Sequence, residues 1–120
     1  MGTFYNSRAL EWFECGRTAL LRQLGKPYAR METEGVYLPI VEAHLKFAGR
    51  AKYDDELAVT TSAELCGKAR VRFDVRVAQA ETGQVVTEGY TVHAVTDAAG
   101  RAQRPPAWLG DLLTGKGPNR

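Results

Sequence analysis

The side chains best suited to proton transfer or nucleophilic attack near neutral pH are two histidines, His44 and His93, and two cysteines, Cys15 and Cys66. Each histidine sits in a stretch that alternates like a strand. Neither has a carboxylate or cysteine at a spacing that would build a catalytic dyad or a metal site. Both are therefore read as buried structural histidines, and no metal ligand set is assigned. Cys15 falls on a helical stretch with no activating neighbour, so it is read as a core residue and not a nucleophile. Two isolated cysteines make neither a disulfide framework nor a zinc site, and they suit a reducing compartment. Asp54, Asp55 and Glu56 form an acidic turn, and Asp97 opens another before Gly100; turn chemistry accounts for both.

These residues must be held by regular elements, and the sequence marks them clearly. Leu10, Phe13, Arg17, Leu20, Leu21 and Leu24 follow helical spacing, with Trp12, Gly16 and Ala19 widening the same side. A helix is expected near 7–24, capped by Asn6 or Ser7 and ended by Gly25 with Pro27 behind it. Val41, Ala43, Leu45 and Phe47 then alternate with Glu42, His44 and Lys46, the period of a strand. A turn at 51–55 leads to Leu57, Val59, Thr61, Ala63 and Leu65. Past Gly67-Lys68, Val71, Phe73, Val75 and Val77 alternate with Arg70, Arg72, Asp74 and Arg76. Glu81-Thr82-Gly83-Gln84 reads as a hairpin turn into a last strand over about 85–96. Pro105 and Pro106 introduce a short helix with Trp108, Leu109, Leu112 and Leu113. One helix followed by four serial strands gives an α+β class.

Composition sets limits on function. At 120 residues the chain suits one domain, expected over 1–114, with 115–120 as a flexible tail. Sixteen basic against fourteen acidic residues leave a net charge of +2, too balanced for nucleic acid as the main partner. No secretory signal is visible, and no segment approaches the ~20 apolar residues of a membrane-spanning helix. A soluble, cytoplasmic protein without membrane insertion is the expectation.

Several segments, in order, resemble the hotdog-fold acyl-CoA thioesterases of the 4-hydroxybenzoyl-CoA thioesterase group, including the type associated with the Tol-Pal envelope system. Gly2-Thr3-Phe4-Tyr5-Asn6 followed by Leu10-Glu11-Trp12-Phe13 resembles the family's loop-then-helix opening, and Arg17, Leu21 and Leu24-Gly25 continue it. Residues 35–43 look like its second-strand motif and 53–57 like the turn that follows. Gly89-Tyr90-Thr91-Val92-His93, Asp97 to Arg101 and Arg104-Pro105-Pro106 look like its closing elements. The resemblance implies a curved antiparallel sheet wrapped around a long central helix. It also implies a homodimer with joined sheets, or a homotetramer, and active sites at the subunit interface. It implies hydrolysis of an acyl-CoA thioester to free acid and CoA, with no metal or redox cofactor. A carboxylate acts there as base or nucleophile, and backbone N–H groups at the helix start hold the oxyanion, where free amides and the helix dipole favour negative charge.

Carried over residue by residue, the oxyanion role falls to the backbone N–H of Asn6, and Tyr5 shapes the pocket. Both also have plain readings, as helix cap and as packing. Lys68 matches one position of a basic cluster that holds CoA phosphates in some relatives. Arg70 shares a strand face with Arg72 and Arg76, a stripe that could grip phosphates or simply face solvent. The family's catalytic Asp sits three residues before the glycine matched by Gly2, which places it upstream of Met1 together with a first strand. Either Met1 is an internal methionine of a longer protein, which we favour because a missing strand exposes a sheet edge, or the chain is a variant without that base. Glu11 and Glu14 could then face the site in its place, although the helix dipole explains them more simply. Two other readings stay open. One is a non-catalytic hotdog subunit that binds acyl-CoA or acyl carrier protein. The other, ranked last, is a dehydratase.

Overall fold

An apolar helical stripe and four alternating stretches need only one packing solution, a helix laid across one face of a sheet. The computed structural model adopts it. The structure describes residues 9–52 and 54–114. Helix α1 (Ala9–Leu24) and the short helix α2 (Tyr28–Thr33) precede strands β1 (Ile40–Phe47), β2 (Leu57–Cys66), β3 (Arg70–Gln79) and β4 (Val85–Ala94). Helix α3 (Ala107–Leu113) closes the fold. The four strands form one antiparallel sheet in the order β1-β4-β3-β2. The expected caps at Asn6 and Ser7, the turn residue Tyr53 and the tail at 115–120 lie outside the described residues.

β3 carries the cleanest alternation and forms the centre of the core. Val71, Phe73, Val75 and Val77 are buried against the helices, each such side chain contributing roughly 1.5–3 kcal/mol on burial. Phe13 packs with Val75 and Val77, whereas Leu21, one end of α1 further on, packs with Val71 and Phe73. Helix α1 therefore runs opposite to β3, its start beside the end of that strand. Cross-strand pairing puts Ala43, Leu45, Thr87, Thr91 and His93 on the same inner face, and Glu42, His44, Arg72, Asp74 and Tyr90 on the outer one.

Local signals place the turns. Gly25 has φ 101°, and Lys26 N–H donates to the Leu21 carbonyl while Gly25 N–H donates to that of Arg22, the paired closing bonds of a left-handed C-cap. Gly83 takes φ 77° at the β3–β4 turn. The Asp97 carboxylate accepts from the Ala99 and Arg101 amides at 2.9 and 3.0 Å, the turn-initiating role expected of it.

Four expectations need correction. Helix α2 was not anticipated, because six residues are too few to show periodicity and Pro27 reads only as a stop; its Met31 is fully buried. Leu10, Ala19 and Cys15 are exposed on α1, so its covered stripe is narrower than the apolar count suggests. His44 is exposed on the outer face of an edge strand and stacks on Tyr90. The last strand ends at Ala94, and Thr96 forms isolated bridges with Tyr37 and Ala102 instead.

Candidate functional site

The apolar stripe of α1 carries one charge: Phe13, Arg17 and Leu21 are four residues apart, and all three are buried. Arg17 retains only 5% exposure. Its Nη1 donates to Thr91 Oγ1 at 3.5 Å, a long contact, and its Nε is buried with no partner. Burial pushes the nearby Tyr28 phenol above its usual pKa, and the Arg17 guanidinium partly offsets that shift. Among the described residues no carboxylate forms an ion pair with Arg17. Taking a cation out of water without a counter-charge is costly, so such groups are ordinarily paired.

From Arg17 a polar chain runs through the sheet. Thr91 Oγ1 lies 3.0 Å from His93 Nε2, and His93 Nδ1 lies 2.8 Å from the Leu38 carbonyl. A carbonyl can only accept, so Nδ1 carries the proton and Nε2 accepts from the threonine hydroxyl. Burial, and more weakly the Arg17 charge, hold His93 below the usual histidine pKa against the opposing pull of the Leu38 bond. The ring is thus a neutral structural link, in keeping with the sequence reading. A cavity of about 560 Å³ opens beside this chain, lined by the buried Arg17 and His93 and by Tyr28, Tyr37, Leu38 and Ile40 among others. Glu14, Glu32 and Asp97 also line it; Asp97 is committed to its own turn.

The residues singled out from sequence do not all meet here. Asn6 and Tyr5 lie outside the described residues. Glu11 and Glu14 are exposed on α1 close to its start, as a residue facing an open site there must be. Lys68 and Arg70 are exposed at the β2–β3 turn and the beginning of β3. Because α1 runs opposite to β3, they sit at the end of the sheet beside the last turns of the helix. One chain thus does not bring them to the helix start. Arg17, Thr91 and Tyr28 were not picked out as site residues from sequence. The available signal was an arginine inside the apolar stripe of α1.

The outer sheet face holds a second polar group. Arg72 forms an ion pair with Asp74, Nη2 to Oδ1 at 3.0 Å, and lies 3.9 Å from the centroid of the Tyr90 ring. The Tyr90 hydroxyl donates to Glu42 at 3.0 Å, which raises the phenol pKa. Asp74 thus interrupts the arginine stripe and neutralises its centre, so the three arginines do not act as one basic surface.

Comparison with known proteins follows the fold. The model of the thioesterase-like superfamily matches residues 1–113. A 61-residue segment is 38% identical to "Putative acyl-CoA thioesterase YneP" of Bacillus subtilis, covering 51% of this chain and 44% of that protein, so the match spans under half of that relative. The crystal structure of a hypothetical protein, TT1821, from Thermus thermophilus is 30% identical, with a TM-score of 0.85 over 95% of this chain and 86% of that one. Slr0204 from Synechocystis, a 1,4-dihydroxy-2-naphthoyl-CoA thioesterase, superposes with a TM-score of 0.85 over 94% of this chain and 84% of that one; at 19% identity it speaks to the fold alone. The architecture is a hotdog fold, a curved antiparallel sheet wrapped on α1.

Proposed function

Since the chain belongs to the thioesterase-like superfamily, we propose that it hydrolyses an acyl-CoA thioester. Water adds to the thioester carbonyl, the C–S bond breaks, and the products are a carboxylic acid and the CoA thiol. The observation that carries this reading is the family match over residues 1–113, which takes in the segment leading into α1. The similarity to a protein named as an acyl-CoA thioesterase supports the same class of substrate.

In this proposal the backbone N–H of Asn6 holds the oxyanion at the start of α1, where unpaired amides and the helix dipole favour the developing charge. Tyr5 shapes the acyl pocket beside it. A carboxylate activates water; within this chain Glu11 and Glu14 are the acids on the first turns of α1. Lys68 and Arg70 contact CoA phosphates.

The site belongs to a dimer. Strand β1 pairs only with β4 among the described residues, leaving its other edge free to continue the sheet. On that strand Ile40, Val41 and Phe47 are each nearly half exposed, at 48, 49 and 45%. A second copy adding its own β1 edge would cover them. It would also bring the far end of one sheet, with Lys68 and Arg70, toward the partner, so that phosphate and carbonyl contacts come from different copies.

The test is thiol release from short, medium, long and aromatic acyl-CoAs by the purified 120-residue chain. Saturable turnover on one class supports hydrolysis and sets Glu11 and Glu14 as the first substitutions. Saturable binding without turnover on every class would sink it, in favour of a subunit that holds acyl-CoA or acyl carrier protein.

A further inference from the structure

Among the described residues Arg17 is the one buried side chain that carries a full charge: a cation with 5% exposure, an orphaned Nε, one long hydrogen bond and no carboxylate partner. Buried arginines are tolerated when something anionic completes them. Arg17 also lines a cavity of about 560 Å³, large enough for a small organic molecule. We propose that this cavity is a binding site for a monocarboxylate with an apolar body, its carboxylate seated on the Arg17 guanidinium.

The lining narrows the class of ligand. A guanidinium presents parallel N–H groups that match a planar carboxylate, and that pairing strengthens where water is excluded. Tyr28, Tyr37 and Leu38 offer ring and aliphatic surface to the rest of the molecule. His93, also in the lining, is committed through both nitrogens, to Thr91 and Leu38, and remains neutral, so it adds no second positive charge. Glu14 and Glu32 line the same cavity and are exposed. They repel a second negative charge, which disfavours phosphate and other polyanions. With the half-buried Asp97, three acids line the cavity around one buried cation, which favours a single carboxylate seated on Arg17 over a phosphate. The inference goes beyond the hydrolysis proposed above, because it is a statement about binding and needs no turnover.

The probes are cyclohexanecarboxylate, its neutral isostere cyclohexanecarboxamide, and inorganic phosphate, titrated calorimetrically into the full chain near pH 7.5. The expected result is saturable binding of the carboxylate and at least tenfold weaker binding of the amide and of phosphate. Arg17→Met should weaken carboxylate binding at least tenfold. Without ligand it should unfold at the same or a higher temperature than the original chain, because an uncompensated charge has been replaced by an apolar side chain of similar length. A merely structural arginine would instead lower the unfolding temperature and leave binding alone. Equal affinity for acid and amide, unchanged binding in Arg17→Met, or no carboxylate binding at about 10 mM, where a site with a ~1 mM dissociation constant is mostly filled, would each overturn the proposal. The acid–amide contrast is read in the unsubstituted chain, so it decides the matter even if Arg17→Met does not fold.

Discussion

Gly16 of α1 and Thr61 of β2 meet so closely that a Cβ on Gly16 would overlap Thr61 Oγ1 and come within 3.0 Å of Val59 Cγ1. The absent side chain lets the helix settle onto the sheet, and the contact leaves Thr61 Oγ1 buried without a hydrogen-bond partner. Gly16→Ala would gain about 1 kcal/mol of helix propensity and lose about 1–3 kcal/mol to overpacking. A net loss is expected, seen as a lower urea midpoint. Adding Thr61→Ala removes the obstructing atom and should recover most of it. A Gly16→Ala chain more stable than the original would show that the helix can lift off at no cost.

His93 predicts how stability depends on pH. Burial, above all, holds its folded pKa below the ordinary 6.5 of the unfolded chain. Between the two values the unfolded state binds the extra proton, so stability rises with pH there. The contribution is complete above about pH 6.5 and declines as pH falls through and below it. Urea midpoints should be level from pH 7 to 8 and drop toward pH 5, and His93→Gln should remove part of that slope. An unchanged slope would assign the acid sensitivity to the carboxylates.

The free edge of β1 predicts an oligomer that charge can break. Val41→Lys together with Phe47→Lys sets four charges along a two-fold joined edge, each strand contributing two, and like charges across a sheet destabilise it. Light scattering at micromolar concentration should give two or more subunits for the original chain and one for the double variant. A single-subunit mass for the original chain would remove the interface site proposed above.

If Lys68 and Arg70 hold phosphates, their loss should weaken acyl-CoA specifically. Lys68→Ala with Arg70→Ala is expected to raise KM roughly three- to tenfold, the effect of about 0.7–1.4 kcal/mol, with kcat nearly unchanged. A short thioester that lacks the nucleotide should show no such change. An equal effect on both substrates would return these residues to the solvated surface.

Phe13 tests which half of α1 the core depends on. It is fully buried with Val75 and Val77, and Phe13→Ala should cost about 3–5 kcal/mol, read from chemical denaturation. A loss under about 1 kcal/mol would place it in the range of a surface substitution.

The sequence alone determined the local pieces. Alternation in β3 named both faces of that strand correctly, because side chains on a strand point to opposite sides whatever the strand pairs with. Gly25 and Gly83 marked real turns, since positive φ is a requirement of the backbone at that residue. Ordered motifs along the chain carried the family. Tertiary structure decided what the charges do. The strand order β1-β4-β3-β2 and the direction of α1 across it join Arg17 to Thr91, 74 positions later, and set Lys68 and Arg70 away from the helix start. The pairing sets His44 opposite Tyr90 on the outer face, where it is exposed, and His93 opposite Val71 on the inner face, where the helices bury it. Burial and ion pairing depend on which elements meet, and no local periodicity encodes that meeting.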